Sequence, residues 1–550
     1  MSLDVIRAEL ARVAAKLGSP DGVPIELETP REKAHGDVAT NLALVLAKHL
    51  KASPRKIAEQ IVAALNIPRL VVASVEIAGP GFINFRLAQD QLAGVLGGIL
   101  SIGTSYGRAM PGGTQRPVNV EFVSANPTGP LHVGHGRQAV LGDAIASLLE
   151  WTGWKVTREF YYNDGGAQIA NLALSVQARI AELRGRPVEI PEGGYHGEYI
   201  REIAQRYVDS HPSDADGKDA DAVRRFAVEQ LRVEQDGDLQ SLGVRFDVYS
   251  LESSQYADGH VDRTVKALTA AGRTYEKDGA LWLKTTDFGD DKDRVIKRSP
   301  ERGGEYTYFV PDVAYHVTKW RRGFTRAINV QGADHHSTVT RVRIGLQALN
   351  MGIPEGYPEY VLHQMVTVMK GGEEMKISKR AGSYVTVRDL VDEVGKDAVR
   401  YFFLMRKPDS HLQFDVDLAL KRTEENPVFY VQMAHARMAG IFRVGGIAPE
   451  SVTVQDADVS VLTDESEIEL LKALGRYPVT MLRAAEALEP HRVTTYLEEL
   501  ARAAHLWYHK CRVLGEPPKV ERARLALARG TQFVLQSALG LLGLAAPDRM

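Results

Sequence analysis

The chain has 550 residues, more than one hydrophobic core usually organises, so about three or four domains are expected. Apolar residues make up 44% and charged residues 25%, which is ordinary globular usage and excludes an intrinsically disordered chain. The 67 basic and 70 acidic residues leave a formal net charge of -3, so any surface that binds nucleic acid must be a local one.

Cysteine usage and the amino-terminal sequence predict a cytoplasmic protein. Cys511 is the only cysteine, which excludes an intrachain disulfide and a cysteine-rich zinc site. The start, MSLDVIRAEL, lacks the basic head and apolar stretch of a secretory signal. No apolar run reaches the ~18 residues that a membrane-spanning helix needs. We therefore expect a soluble protein with no membrane partner.

The amino-terminal part, residues 1–112, is predicted to be a small α+β domain. Residues 71–77 and 82–87 have the composition of short strands around a turn at residues 79–81. Gly112 and Gly113 follow Pro111 and indicate a linker to the next domain.

A Rossmann-like, doubly wound domain is predicted for residues 113–385. Residues 118–123 are rich in β-branched side chains, which is typical of a buried parallel strand. Strand patterns resume at residues 327–330 and 360–368. The charged, irregular stretch at about residues 178–290 lies between the first of these strands and the later two, and it is interpreted as an insertion. A helix ending near Gly153 is predicted from a stripe of apolar residues, namely Leu141, Ile145, Leu148 and Leu149.

The carboxy-terminal part is predicted to be all helical. Strand patterns stop near residue 425, and apolar residues then keep a helical period. We expect a connecting segment at residues 386–425 and a helical bundle at residues 426–550. The predicted fold class is therefore multi-domain α/β, with a Rossmann-like parallel sheet, a small α+β domain before it and an all-α bundle after it.

One segment, VEFVSANPTGPLHVGH, places His132 and His135 where a strand gives way to a helix. Backbone N–H groups and the dipole at a helix start favour an anion, and Gly134 leaves room for a nucleotide. The imidazoles can donate hydrogen bonds to phosphate oxygens. Two histidines near a glycine are also common as surface or core residues, so this motif alone does not decide between these interpretations.

A second segment, KISKR, places Lys376 and Lys379 on a loop after Gly371 and Gly372. When a carboxylate attacks the α-phosphate of ATP, negative charge develops on phosphate oxygens and pyrophosphate, and cations on a loop stabilise it. Alone, the segment also fits a solvated surface turn. The two motifs together, in this order, predict ATP-dependent adenylation.

These segments resemble the two signature sequences of class I aminoacyl-tRNA synthetases, with Val133 and Ile377 at positions that are often isoleucine and methionine. The resemblance implies that ATP arrives with Mg2+ and that Met365, if it is not a core residue, offers its backbone to adenine. No structural metal is expected, since adjacent histidines at 335 and 336 point apart. The residues assigned to ATP binding and catalysis are His132, Gly134, His135, Met365, Lys376, Ser378 and Lys379.

The wider sequence resembles the arginyl-tRNA synthetases in particular. The likeness extends over GDVATNLALVLAK, PGFINF, EFVSANPTGPLHVGHGR, YYNDGGAQI, YFVPDVAYH, VLHQMV, DEVGKDAVRYFFLMRKPD and APDRM. It implies that ATP activates arginine to arginyl-adenylate and that arginine then passes to the terminal ribose of its tRNA. We expect a monomer whose partners are L-arginine, ATP and this tRNA.

Arginine carries a planar cation, so its site needs carboxylates and preferably an aromatic face. Any one acidic residue, considered alone, is more commonly part of a surface ion pair than a substrate contact. Only its position relative to the histidine motif favours the substrate contact. The resemblance assigns to this site the acids Glu121 and Asp312, the aromatic Tyr308, the polar Ser124 and Asn126, and Asp334, which stands where the family often has glutamine.

The resemblance also implies that the helical bundle binds the anticodon stem and loop and that the amino-terminal domain touches the outer corner of the tRNA. Single-stranded RNA is recognised by stacking on aromatic or guanidinium planes together with edge hydrogen bonds. Core or ordinary surface positions are the alternative for each candidate. The candidates are Phe82, Asn84, Tyr430, Arg437 and Trp507.

Two other functions are compatible with parts of the sequence. A small-molecule nucleotidyltransferase shares the histidine motif but has no use for the terminal domains. A catalytically silent relative that binds tRNA as a regulator would not need His132, His135, Lys376 and Lys379, all of which are present.

Overall fold

The computed structural model describes residues 2–550 except 21, 29, 31, 33–34, 70, 110–115, 188 and 376–383. The predicted linker at Gly112 and Gly113 and the predicted ATP ligands Lys376, Ser378 and Lys379 therefore lie outside the described residues. The strands are β1 Val38–Thr40, β2 Val72–Ala78, β3 Phe82–Leu87, β4 Pro117–Glu121, β5 Lys155–Tyr162, β6 Val248–Leu251, β7 Thr274–Lys277, β8 Ala280–Leu283, β9 Arg294–Lys297, β10 Arg326–Gly332, β11 Glu359–His363, β12 Val366–Lys370, β13 Glu373–Glu374 and β14 Leu412–Asp415. The helices are α1 Ser2–Lys16, α2 Leu42–Leu50, α3 Pro54–Ala64, α4 Gln89–Ile102, α5 Val133–Trp151, α6 Gly166–Leu183, α7 Glu198–Ser210, α8 Ala220–Ser241, α9 Glu252–Ala257, α10 His260–Ala270, α11 Phe309–Arg321, α12 His336–Ala348, α13 Val387–Val394, α14 Lys396–Leu404, α15 Val416–Leu420, α16 Pro427–Gly445, α17 Glu465–Gly475, α18 Tyr477–Ala487, α19 His491–Lys510 and α20 Pro518–Leu541.

The amino-terminal domain consists of helices packed on an antiparallel sheet in the order β1-β3-β2. The two strands predicted at 71–77 and 82–87 are present as the β2–β3 hairpin. Buried side chains of α1, α2 and α3 cover the sheet and form a separate core with Ile83 and Phe85. The predicted α+β character of this region is confirmed.

The catalytic core is a parallel sheet of five strands in the order β11-β10-β4-β5-β6. The strand β4 occupies the centre, and the chain continues to β5 on one side and later to β10 on the other. This reversal creates a crevice at the carboxyl ends of β4 and β10, where ligands bind in such sheets. Helix α5 packs so tightly on β4 that a Cβ at Gly142 would lie 2.2 Å from Cγ of Phe122.

The stretch predicted as one insertion, residues 178–290, is not a single excursion from this sheet. It contains β6, which pairs in parallel with β5 and so belongs to the catalytic core. Helices α6, α7 and α8 lie before β6, and a separate antiparallel sheet of β7, β8 and β9 lies after it. A strand of four residues is too short to be recognised by its pattern among charged neighbours.

The predicted strand at 360–368 is likewise two strands in different sheets. Gln364 and Met365 separate β11, which pairs with β10, from β12, which pairs with β14. Met365 therefore lies in a break between strands rather than on one.

The carboxy-terminal bundle contains α16 to α20, as predicted. Its helices α17 and α20 contact α4, so the bundle packs against the link from the amino-terminal domain. An ion pair of 2.6 Å between Lys472 Nζ and Asp37 Oδ1 also joins the two terminal domains. Within the part of the chain that the structure describes, none of the helices has the length and apolar character to span a membrane.

Candidate active site

Helix α5 begins at the histidine motif, and His132 is its N-cap. The Nδ1 of His132 accepts a hydrogen bond of 3.2 Å from the backbone N–H of His135. Since Nδ1 is the acceptor, the proton of the neutral ring is on Nε2, where it is available as a donor. The rings of His132 and His135 stack with their centroids 3.6 Å apart. The predicted meeting of two histidines at a helix start is confirmed.

Burial keeps these histidines neutral. Desolvation lowers the pKa of His132 and lowers that of His135 still further. His363, the last residue of β11, lies near both and has its pKa lowered by burial to about 4. Its buried Nε2 has no hydrogen-bond partner among the described residues. Sequence reasoning missed His363, although the VLHQMV segment contains it.

Gly134 is required by the packing of the motif itself. A Cβ at this position would lie 2.8 Å from Cε1 and 2.9 Å from Nδ1 of His132. Any side chain would therefore displace the imidazole from its capping position. From the sequence, Gly134 was expected only to leave space for the nucleotide.

Arg137, on the next turn of α5, fixes the break between β11 and β12. Its guanidinium is fully buried and donates to the carbonyls of Gln364 at 2.8 Å, Lys407 at 2.9 Å and Ser410 at 3.0 Å. Met365 beside this anchor is 77% exposed, so it is not a core methionine. It lies at the same carboxyl edge of the sheet as His363.

Glu121 ends β4 and forms a buried ion pair. Its Oε2 accepts from the ammonium of Lys319, a fully buried residue on α11, and its Oε1 accepts from Ser124 Oγ at 2.9 Å. Lys319 also donates to Asn329 Oδ1 at 3.2 Å. Lys319 was not predicted, because a lysine on an amphipathic helix usually faces solvent.

Asp312 and Glu252 bring further negative charge to the same place. Burial raises the pKa of Asp312 to about 7, and the charges of Glu252 and Glu121 add to this. Burial also raises the pKa of Glu252, which accepts a 3.3 Å hydrogen bond from the hydroxyl of Tyr161. The three carboxyl groups therefore form an acidic cluster with a deficit of positive charge. Glu252 was not predicted from the sequence.

The backbone between Glu121 and the histidine motif is strained. Val123 and Ser124 have φ of 69° and 43°, in the left-handed region that a β-branched residue avoids. Ser124 Oγ both donates to Glu121 and accepts from the backbone N–H of Tyr161 at 3.2 Å. These bonds hold the turn at the sheet's switch point.

The other predicted arginine ligands are placed around this cluster in different ways. Tyr308, which precedes α11, is 82% exposed. Asn126 donates to Gln168 Oε1 at 2.5 Å. Asp334 is exposed after β10, and its charge partly opposes the lowering of the pKa of His132 and His363 by burial, which places it nearer the histidines than the acidic cluster.

The predicted tRNA contacts are divided between surface and core. Phe82 is 40% exposed and lines a cavity of about 550 Å³ with Asn84 in the amino-terminal domain. Tyr430 and Arg437 both contact His505. The side chain of Trp507 is fully buried on the inner face of α19, so the structure does not present its ring to a base, and its assignment to tRNA stays a prediction.

A basic groove in the bundle contains the predicted Arg437 together with arginines that the sequence analysis did not single out. It has a volume of about 820 Å³ and is lined by Tyr508 and four arginines, namely Arg437, Arg443, Arg512 and Arg549. These arginines are spread over more than a hundred residues of sequence, so no local charge run marked them.

Comparison with known proteins agrees with this architecture. Residues 98–416 match the family model of the tRNA synthetases class I (R) catalytic domain, residues 4–87 the arginyl tRNA synthetase N terminal domain, and residues 431–550 the DALR anticodon binding domain. The catalytic core is therefore that of a class I tRNA synthetase.

Curated relatives and solved structures refine this class. The arginine–tRNA ligase of Geobacter metallireducens is 55% identical over 96% of this chain and 95% of its own, and that of Methylibium petroleiphilum is 54% identical over 97% of each. A putative arginyl-tRNA synthetase structure from Campylobacter jejuni is 32% identical, with a TM-score of 0.77 over 84% of this chain and 100% of its own. The Thermus thermophilus arginyl-tRNA synthetase shares the fold, at 23% identity and a TM-score of 0.78 over 100% of each chain. The chain belongs to the arginyl-tRNA synthetase family.

Proposed function

We propose that the crevice at the carboxyl ends of β4 and β10 is where this chain acts as an arginine–tRNA ligase. The observation that supports this most directly is the acidic cluster of Glu121, Asp312 and Glu252 at the end of β4, the strand that leads into a helix capped by a neutral histidine. The acidic cluster suits a guanidinium, and the helix start suits the phosphates of ATP. A catalytic domain of the class I synthetases uses these two substrates together.

The acidic cluster is complementary to arginine in charge and shape. Glu121 is already paired with Lys319, so Asp312 and Glu252 are the acids whose charge still needs a cation. A bound guanidinium would lower both pKa values and recover the cost of their burial. The exposed ring of Tyr308 supplies the aromatic face for a planar cation.

The amino and carboxylate groups of arginine would then lie along the strained turn. We assign them to Ser124 and Asn126, as the resemblance implies. A guanidinium contact with Asp334 stays a prediction, and its position near the histidines suits a role closer to the reacting groups. Lysine and citrulline fit less well, because one lacks the planar fork and the other lacks the charge.

ATP would occupy the side of the crevice formed by the start of α5. Nε2–H of His132 and the dipole of the long helix would face anionic oxygens, and we assign the exposed residue Met365 to the adenine, as the resemblance implies. We assign stabilisation of the leaving pyrophosphate to Lys376 and Lys379, with Ser378 beside them. Mg2+ enters with the phosphates of ATP as part of that substrate.

The reaction proceeds in two steps. The arginine carboxylate attacks the α-phosphate and displaces pyrophosphate, and a terminal ribose hydroxyl of the tRNA then attacks the arginyl carbonyl and displaces AMP. Neither step needs a side-chain nucleophile, so orientation and charge stabilisation supply the acceleration. All residues that we assign to these steps are on one chain, which is why we expect a monomer to be active.

The terminal domains would bind the tRNA. The basic groove of Arg437, Arg443, Arg512 and Arg549 combines guanidinium groups with the half-exposed ring of Tyr508, which suits an unstacked RNA loop. The cavity that contains Phe82 and Asn84 is assigned to the outer corner. We assign residues 1–112 and 426–550 to tRNA binding, residues 113–385 to catalysis and residues 386–425 to the segment that connects catalysis with the bundle.

Pyrophosphate exchange with each of the twenty amino acids, with and without the tRNA for arginine, tests the activity. We expect exchange with arginine alone among the amino acids. Exchange with another amino acid would contradict the specificity, and none under either condition would favour a regulatory tRNA-binding protein. The nucleotidyltransferase alternative predicts exchange with a small-molecule acceptor and indifference to tRNA.

Charging kinetics separate the groove from the active site. We expect Arg512→Gln to raise the KM for tRNA about tenfold while arginine-dependent exchange measured at saturating tRNA is unchanged. Arg186→Gln changes an exposed arginine that pairs with Asp216 in the loops between the helices before β6; it is the matched control and should leave the KM for tRNA unchanged. Equal effects of both changes would remove the groove from the proposal.

A further inference from the structure

The loop between β4 and α5 is held by side chains from three distant parts of the chain. Gln235 Nε2 donates to the carbonyls of Asn126 at 3.0 Å and Gly129 at 2.8 Å. Tyr199 Oη donates to the carbonyl of Thr128 at 2.9 Å, and Tyr384 Oη donates to that of Pro130 at 2.9 Å. We call Gln235, Tyr199 and Tyr384 the carbonyl clamp.

This loop satisfies few of its own carbonyl groups, although the backbone N–H of Thr128 does donate to the carbonyl of Asn126 at 2.8 Å. Pro127 and Pro130 lack N–H groups, and the loop forms neither helix nor strand. A backbone carbonyl in a shielded position needs a partner, or it loses the free energy of a hydrogen bond. The clamp therefore selects one conformation from those that two prolines and a glycine would allow.

The donors are themselves rigidly placed. Gln235 is 1% exposed on α8, and Tyr199 is 8% exposed on α7, where it packs in the core shared by α6, α7 and α8. Burial raises the pKa of Tyr384 to about 12 and raises that of Tyr199 as well, so both hydroxyls keep the protons that they donate at neutral pH. The helices before β6 thus contact the catalytic loop directly.

Tyr384 also ties the loop to the chain that follows the lysine motif. Val133 N donates to the carbonyl of Val385 at 3.1 Å, and Val387 N donates to that of Leu131 at 2.8 Å. The ring of Tyr384 meets the ring of His132 edge-on, with centroids 5.8 Å apart. Because the two rings are in direct contact, a displacement of Tyr384 would also affect the position of His132.

The clamped loop has a proposed arginine ligand at one end, Asn126, and a proposed ATP ligand at the other, His132. We propose that Gln235, Tyr199 and Tyr384 are positioning residues, which set the separation of the arginine carboxylate and the α-phosphate for adenylate formation. This inference rests on the proposed function. A clamp of this kind affects the alignment of two bound substrates more than the binding of either one, so its loss lowers kcat and leaves both KM values nearly unchanged.

The test is arginine-dependent pyrophosphate exchange by the full chain, measured in the presence of tRNA, for Tyr199→Phe, Tyr384→Phe and Gln235→Met. Each change keeps size and removes the donors. We expect each single change to lower kcat about tenfold and the double change Tyr199→Phe/Tyr384→Phe about fiftyfold, with KM for arginine and ATP within about twofold. Tyr195→Phe is the matched control, because Tyr195 lines a cavity of about 510 Å³ together with Tyr199, Gln235 and Tyr384 but its hydroxyl bonds none of these carbonyls, and its kcat should not change.

Two results would overturn the inference. The first is an active wild-type protein whose clamp variants keep full kcat. The second is a fall in kcat accompanied by equal changes in both KM values and a lower thermal unfolding midpoint, since that pattern describes a general structural role. A wild-type protein without arginine-dependent exchange would instead overturn the proposed function, and this inference with it.

Discussion

The carboxylate of Glu121 and the ammonium of Lys319 form an ion pair that is almost completely shielded from water at the base of the proposed arginine site. Glu121 comes from the central strand of the sheet and Lys319 from a helix almost two hundred residues later. Because Glu121 is already paired with Lys319, Asp312 and Glu252 are the acids that are left for a substrate cation. The pair also leads to a prediction about stability.

Removal of Lys319 should destabilise the protein and make it respond more strongly to arginine. Lys319→Met leaves a buried carboxylate without its cation, which costs about 3 kcal/mol of the free energy of unfolding. Arginine should restore part of the loss, because its guanidinium becomes the replacement cation. Thermal unfolding with and without arginine measures both effects. Lys421→Met breaks an exposed pair with Glu425 and should change neither measurement, so similar shifts in the two variants would contradict this account.

The affinity for arginine should increase as the pH rises through neutrality. The pKa of Asp312 is raised to about 7, so in the free protein this carboxyl holds a proton below that pH and becomes an anion above it. A guanidinium binds the anion, so the dissociation constant should fall by up to about tenfold per pH unit below 7 and level off above it. Calorimetry in buffers of different ionisation enthalpy should also detect proton release on binding.

Neighbouring charge provides the control for this pH dependence. Glu252→Gln removes a charge that raises the pKa of Asp312, so the transition should move to lower pH while its form is kept. Asp312→Asn should abolish the transition and weaken binding at every pH. An affinity for arginine that stays flat from about pH 6 to about pH 8 in the wild type would rule out Asp312 as the titrating ligand.

Gly134→Ala should separate activity from stability. The new Cβ would lie within 3 Å of the His132 ring, which must leave its capping position, so exchange should slow at least about tenfold. Alanine is the better helix former by about 1 kcal/mol, so the fold should not be weakened. Gly94→Ala, at an exposed helical site with open space around it, should share the stability effect and keep full activity. Full activity of Gly134→Ala would show that the His132 cap is dispensable.

The exposed ring of Tyr308 should contribute to arginine affinity without contributing to the fold. Tyr308→Ala should raise the KM for arginine about tenfold, from the loss of a cation–π contact, and leave the unfolding midpoint unchanged because the ring is 82% exposed. Tyr308→Phe keeps the aromatic face and should stay within about twofold of the wild type. Steady-state exchange kinetics decide this, and a KM for arginine unchanged by alanine would exclude the stacking role.

Much of the chemistry was predictable from local sequence. His132, Gly134 and His135 lie at a helix N-cap. The features that make one are a strand, a turn with glycine and proline and then an apolar helical period, and all lie within a few residues of each other. The β2–β3 hairpin and the all-helical bundle were predictable for the same reason. The extended likeness to one family added Glu121, Tyr308 and Asp312, which no local pattern distinguishes from ordinary surface residues.

The tertiary structure alone decided features that depend on distant residues. The short strand β6 belongs to the catalytic sheet only because β5 supplies its hydrogen bonds, and Trp507 is buried only because other helices cover its face of α19. Glu252 on α9 and Lys319 on α11 reach the site of Glu121 only in the folded chain, and the carbonyl clamp comes from α7, α8 and the segment before α13. The sequence by itself determined the position of the histidine and lysine motifs, since these follow from residue types at short spacing. The folded chain decided which charges remain for the substrate and what holds the catalytic loop, because burial and long-range pairing arise only when the elements pack together.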